Sequence, residues 1–460
     1  MTRGEDLDAV SPAATYAELL TKNREFLWNP FTQMRLFLDD EPLIVESARG
    51  VKLRDVRGQE YYDGNASLWV NVHGHGHPEL NRALRDQLER VAHSTLLGAS
   101  NEPAIRLAER LVSLAPASLG KVFYSDAGAA AVEIALKMAF GYWRRNGRPE
   151  KRVFVAMRNA YHGDTIGAVS LGGIDLFHTE FGPLLFPVER VSYPYAYRFE
   201  GAESECAEAC LAELRGLLEA RADEIACLVL EPLVQAAGGM ITMPRGFLQR
   251  VAALAGEHDV LLIADEVATG FGRTGRMFAC EHEAVEPDLM TLGKGLTGGY
   301  LPVAATLASD RIYDAFWGDF EEQRTFFHGH SYTGNQLGCA VALASLDLFE
   351  REGLVARVEQ ASRILGELLS PIAGLAHVGE LRQCGFLVGI ELVRDRQTKE
   401  PFDWRRAMGA RVCRRARELG LVTRPLGDVV TLVPPLTSSN DDLAAMTSML
   451  GQAVREVTEA

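Results

Sequence analysis

The hydrophobic and polar positions change period several times along the chain. At 51–56, Val51, Leu53 and Val56 are interleaved with Lys52, Arg54 and Asp55. Arg57-Gly58 offers a turn and Glu60-Tyr61-Tyr62 returns, which predicts a hairpin. Residues 78–92 and 103–114 place apolar side chains at helical spacing, the second behind an Asn101 cap with Pro103 in its first turn. Ahead of the hairpin, residues 1–27 predict one short helix and little else.

Beyond residue 120 the runs become short and apolar throughout. Strands are predicted at 121–125, 152–157, 226–231, 260–265, 289–293 and 303–306, with an Ala-rich helix over 128–145 after the first. Strands that do not alternate have both faces covered, so a mostly parallel sheet between helices is expected. Residues 184–204, rich in Pro and Tyr, predict a long loop. From 335 the texture changes again: helices at 335–352, 354–371, 403–419 and 440–457 alternate with strands at 376–382, 385–392 and 429–433. The expected organisation is α/β, a large domain over 78–334 and a small α+β domain built from both chain ends, 1–77 and 335–460.

Length alone would suggest about three domains at ~150 residues each; the pattern reduces the 460 residues to two units. Composition is ordinary, 47% hydrophobic and 24% charged, and the net charge of −15 leaves no basic face for a nucleic acid. No apolar run reaches the ~18 residues of a membrane span. Met1 to Val10 carries three acids and no apolar core, so no signal peptide is expected. Seven cysteines without a C-x-x-C pair suit a reducing cytoplasm. His73-Gly74-His75-Gly76-His77 invites a metal reading, but no Cys or carboxylate stands at ligand spacing, and no metal is expected.

Four segments carry candidate chemistry. Leu261-Leu262-Ile263-Ala264-Asp265 delivers a carboxylate at the end of a buried strand, where open α/β sheets hold ligands. Such an acid either caps the next turn or meets a cation, and a protonated pyridine nitrogen is one. Leu289-Met290-Thr291-Leu292-Gly293-Lys294-Gly295 ends another strand in a lysine between glycines, either a surface lysine or a desolvated amine suited to a Schiff base. Tyr124-Ser125-Asp126-Ala127-Gly128-Ala129 opens a helix whose first N–H groups could cradle a phosphate. Tyr161 precedes a His162-Gly163 turn, as a core tyrosine or a ring that stacks on a flat cofactor.

Taken together, Tyr161-His162-Gly163, Asp265-Glu266-Val267, Gly270-Phe271-Gly272-Arg273-Thr274-Gly275 and Gly293-Lys294-Gly295 resemble the class III aminotransferases, which have pyridoxal 5'-phosphate (PLP) fold type I. The resemblance spans about residues 28–437. It implies PLP as cofactor, Lys294 as the Schiff-base lysine, Asp265 as partner of the pyridine nitrogen and Tyr161 as the stacking ring. Gly128 and Ala129 match the phosphate turn, Val267, Glu231 and Gln235 match positions near the cofactor, and Ser331 matches a phosphate contact from a neighbouring subunit. A homodimer with shared sites is therefore expected. Two positions depart from many members: the phosphate turn lacks a flanking Ser, and Ser331 stands in place of Thr.

Within class III, Trp28 through Met34, Trp69 through His75, His93-Ser94-Thr95 and Thr423-Arg424-Pro425 resemble the biotin-pathway group that converts 8-amino-7-oxononanoate to 7,8-diaminononanoate. Arg424 matches that group's substrate-carboxylate arginine. Phe31, Leu68 and Trp69, Gly329 and His330 match substrate positions, and Arg273 either holds substrate or braces its loop. The amino donor in this group is S-adenosylmethionine or, in one branch, lysine. Phe31, Leu68 and His330 depart from the S-adenosylmethionine branch and favour lysine. A broad ω-amine:pyruvate transaminase would share every cofactor residue and is the alternative.

Overall fold

The computed structural model describes residues 12–459, and the expectations for residues 1–11 lie outside them. The leading helix is Pro12–Phe26. The centre of the molecule is a seven-stranded sheet in the order Leu119–Ser125, Ala304–Ser309, Leu289–Leu292, Leu261–Asp265, Ile225–Leu230, Val153–Met157, Val188–Val191. The last five run parallel, and Ala304–Ser309 is antiparallel to both of its neighbours. The three central strands are buried at every position, which is why they read as unbroken apolar runs.

The segment expected to be a long loop, 184–204, contains the strand Val188–Val191. It lies at the sheet edge with one neighbour, Val153–Met157. An edge strand is protected by charge, and Glu189 and Arg190 interrupt the apolar pattern that would have marked it. The helix expected over 403–419 is also broken. A 3-10 turn, Trp404–Arg406, stops at Ala407, whose φ of 46° is left-handed, and the α-helix runs Met408–Glu418.

A second sheet joins the two ends of the chain. Val45–Arg49, Lys52–Asp55 and Glu60–Asp63 form an antiparallel meander, and Leu421–Val422 adds to it parallel to Glu60–Asp63. A third sheet has the order Val378–Cys384, Leu387–Leu392, Val429–Leu432, Pro425–Leu426. Asp63 ends a strand of the first of these sheets, and Arg424 lies between Leu421–Val422 of that sheet and Pro425–Leu426 of the other.

The histidine run has three separate structural tasks. His73 is buried with Nε2 2.9 Å from Ser345 Oγ, His75 Nε2 lies 2.8 Å from Asp63 Oδ2, and the His77 side chain caps the helix Pro78–Arg90. Among the described residues no cluster of His, Cys, Asp or Glu could hold a metal, and no helix is long and apolar enough to cross a membrane.

Candidate active site

Parallel strands bring their carboxyl ends to one edge, and here five of them deliver chemistry to it. Asp265 ends Leu261–Asp265; Glu231 follows Ile225–Leu230; Lys294 follows Leu289–Leu292 after one glycine. Tyr161 lies just beyond Val153–Met157, and the helix Gly128–Arg145 starts just beyond Leu119–Ser125. Around them is a cavity of about 420 Å³, lined by Trp69, Gly128, Tyr161, Glu231, Asp265 and Lys294, with Ala129 and Val267 also on its wall.

Asp265 is buried, and three donors hold it. His162 Nδ1 lies 2.7 Å from Oδ2, while Thr291 Oγ1 and the Val267 N–H donate to Oδ1 at 2.9 and 3.1 Å. A carboxylate accepts about four hydrogen bonds, so one place is left for a donor on the ring nitrogen of a bound pyridine. The Asp265 bond raises the His162 pKa above its ordinary value, against burial, which alone would lower it. His162 and Thr291 are the residues that sequence reasoning passed over. His162 stood inside a quoted motif, and Thr291 is the direct neighbour of Asp265 across the sheet.

Burial lowers the pKa of Lys294; Asp265 and Glu231 pull it back up, and Arg273 lowers it further. Its Nζ stands 5.3 Å from the centre of the Trp69 ring, and its φ of 36° bends the chain sharply into the following turn. Glu231 accepts from the Tyr161 N–H at 3.1 Å and the Ala236 N–H at 2.9 Å, and burial pushes its carboxyl up to about 7. Gln235 donates to Arg158 O at 2.8 Å, leaving its Oε1 buried without a partner.

The opposite wall is the start of Gly128–Arg145. Ala127 precedes it in extended conformation and no side chain caps it, so its first N–H groups are open to an anion. A Cβ on Gly128 would lie 2.7 Å from Val267 Cγ1, and one on Gly163, at φ 120°, would lie 2.3 Å from Ala129 Cβ. Glycine is required at both places because Val267 and Ala129 occupy the space a Cβ would need, and at Gly163 the positive φ favours it as well. An uncapped helix start, an acid with a spare acceptor position and a depressed lysine in one cavity fit a phosphorylated pyridine aldehyde.

The other candidate residues fall into three groups. Phe31, Arg424 and Tyr161 meet beside the cavity: the Phe31 ring lies edge-on to Tyr161 at 6.4 Å and to Phe177 at 5.3 Å, with the Arg424 guanidinium 5.8 Å from its centre. Phe177, in the short turn Asp175–His178, gave no signal in the sequence. Leu68 is exposed next to buried Trp69. Arg273 is almost wholly buried, donating to Pro434 O at 2.6 Å and Asn71 O at 2.7 Å, and its guanidinium is a brace between segments rather than part of the cavity wall. Gly329, His330 and Ser331 lie apart, on a second cleft of about 1010 Å³. His330 approaches Asp126 at 3.9 Å, behind the phosphate-turn candidate, and Ser331 is exposed.

The chain is similar to known proteins over nearly its whole length. The profile of the family "Aminotransferase class-III" matches residues 38–454. An adenosylmethionine-8-amino-7-oxononanoate aminotransferase from Anoxybacillus flavithermus is 52% identical over 96% of this chain and 97% of its own. The crystal structure of the like-named protein from Methanocaldococcus jannaschii superposes with a TM-score of 0.91 at 43% identity, covering 96% of this chain and 99% of that one. An amine transaminase from an uncultivated Pseudomonas species, solved in its PLP-bound form, gives 0.89 at 34% identity over 94% and 98% of the two chains.

Proposed function

The chain belongs to the class III aminotransferases and is a PLP-dependent aminotransferase, and we propose that it transfers an amino group to 8-amino-7-oxononanoate, giving 7,8-diaminononanoate, with L-lysine as donor. The observation that carries the acceptor is Arg424. Its guanidinium is half-buried beside Phe31 and Tyr161, and no carboxylate among the described residues pairs with it. A desolvated arginine without an anion suits a carboxylate at the end of an apolar chain. The relatives from Anoxybacillus flavithermus and Methanocaldococcus jannaschii carry the name of this acceptor.

PLP, when bound, supplies an electron sink for the carbon whose amine is exchanged. Asp265, fixed by His162 and Thr291, would hold the proton on the ring nitrogen. The first N–H groups of Gly128–Arg145 would hold the phosphate, Tyr161 and Val267 would line the ring, and Ser331 of a second copy would complete the phosphate site. Lys294 would be the amine that anchors the cofactor, and its free Nζ would move the proton at the reacting carbon, as base and then as acid. Burial lowers its pKa below that of an ordinary lysine, against the pull of Asp265 and Glu231. One site serves donor and acceptor in turn, so kinetics are ping-pong.

The donor assignment rests on the walls of the mouth. A sulfonium and an adenine gain from aromatic faces. Leu68 offers none, and the Phe31 face already carries Arg424. Mixing the holoenzyme with L-lysine or S-adenosylmethionine, without acceptor, tests it directly. Lysine is expected to bleach the cofactor's visible band; bleaching by S-adenosylmethionine alone would reverse the assignment.

A further inference from the structure

Trp69 reaches the cavity from a strained segment. Ala66, Ser67 and Trp69 have φ of 43°, 61° and 63°, all in the left-handed region that favours glycine, and neighbours must hold such a turn in place. Asp63 accepts from the Ser67 N–H at 2.8 Å and from Ser67 Oγ at 3.0 Å. Asn65 is buried and uses both ends of its amide on the same segment: Nδ2 donates to Ser67 O at 3.1 Å, and Oδ1 accepts from Trp69 Nε1 at 3.0 Å. Asparagine has one donor end and one acceptor end, so these two contacts fix which way its amide faces.

The indole itself is packed among apolar side chains. Trp69 is buried in a cluster with Ala236, Met240, Ala268 and Val433. Such neighbours fix the plane of a ring but do not tell its two edges apart. The N–H does, because a buried donor without an acceptor is costly. Asn65 therefore decides how the indole is seated. Asn65 stays off the cavity wall, while Trp69 is on it, with Lys294 Nζ over its ring at 5.3 Å from the centre. With its one donor spent on Asn65, the indole offers Lys294 a ring face and no hydrogen bond.

We propose that Asn65 is a positioning residue for Lys294 and acts through Trp69: it seats the indole so that the ring face lies by Nζ and stabilises positive charge on that nitrogen. The inference rests on the reading of Lys294 as the amine that holds the cofactor. The attraction between a ring face and a cation is electrostatic and strongest for tryptophan. The charged groups that face Lys294 are Asp265, Glu231 and Arg273, and they act on it whatever the seating of the ring. Asn65 adds a control that is uncharged and lies outside the cavity.

The test is a pH titration of the holoenzyme's visible band, which belongs to the form protonated on the Lys294 nitrogen, run as a double-mutant cycle. The variants are Asn65→Ala, Trp69→Phe, which keeps an aromatic ring and has no N–H, and the two together. Asn65→Leu, near asparagine in shape, replaces the alanine variant where that one fails to fold. Asn65→Ala is expected to move the midpoint to lower pH by roughly 0.4–1.5, the range that loss of a cation–π contact gives. In the Trp69→Phe background the same substitution is expected to leave the midpoint nearly unmoved. A loss of folding stability common to both backgrounds does not enter this difference. An equal shift in both backgrounds, or no downward shift in the presence of Trp69, would overturn the inference. A visible band that survives Lys294→Ala would instead remove the reading of Lys294, and this inference with it.

Discussion

Burial decides what Lys294 and Arg424 can do. An exposed lysine keeps its ordinary pKa; that of Lys294 is lowered, chiefly by burial, in the direction a proton shuttle needs. Lys294→Ala is expected to abolish the visible band of the lysine-held cofactor and to lower kcat by roughly 10²–10⁴-fold or more; a spectrum and a turnover assay check both. Arg424→Met is expected to raise KM for the keto acid by roughly 10–150-fold, the equivalent of ~1.5–3 kcal/mol for hydrogen bonds to a charged group, while ketones without a carboxylate keep theirs. Two further groups set the response of stability to pH. Burial holds His73 down to about 3 from an ordinary 6.5, so the neutral form belongs to the fold. Its contribution is complete above 6.5 and is lost as pH falls toward about 3, by up to ~1.4 kcal/mol per pH unit. Glu231 acts in the opposite sense: held up to about 7 by burial, it contributes below 4.5 and loses that contribution as pH rises through about 7. Urea unfolding at pH 5 and 7 is expected to show that His73→Asn has less acid sensitivity than the wild type, after allowance for any loss common to both pH values.

At the scale of elements, what could be read from the sequence was what a single strand or helix decides for itself. The runs ending in Asp265 and Lys294 are apolar because they are buried on both faces, and that burial is written at every position. Gly128 and Gly163 are glycine because a Cβ would collide there. What escaped was set by partners distant in sequence. Val188–Val191 is a strand because Val153–Met157 lies beside it, and its two charges hide the period. Thr291 matters because the sheet register places it beside Asp265, and Phe177 because Phe31 folds against it. Arg273 stood in a quoted motif with two readings open, and only the fold shows its guanidinium spent on the carbonyls of Asn71 and Pro434. Arg273→Met leaves both acceptors buried and unpaired. At roughly 1–3 kcal/mol each, a loss of ~2–6 kcal/mol is expected in denaturant unfolding, and a midpoint unchanged from the wild type would contradict the brace.

For the whole molecule the net charge is −15, and the two cations of the proposed reaction stand on the cavity wall, Lys294, and beside it, Arg424. Lys294 and Arg424 are brought together by sheets that combine both ends of the chain, so the site exists only in the complete fold. Ser331, exposed and outside the cavity, belongs to the proposed shared site of a homodimer. If Ser331→Ala proves weakly active, refolding it together with Lys294→Ala is expected to restore activity, because a mixed dimer holds one site with both native residues; two variants that stay as weak together as apart would place Ser331 outside the shared site. The most direct test of the central claim is product analysis. Purified enzyme loaded with PLP is incubated with 8-amino-7-oxononanoate and L-lysine, and the mixture is examined by mass spectrometry. Formation of 7,8-diaminononanoate that depends on the enzyme and is lost in Lys294→Ala is the expected result. Absence of that product with either lysine or S-adenosylmethionine, from an enzyme that aminates simple ketones, would contradict it.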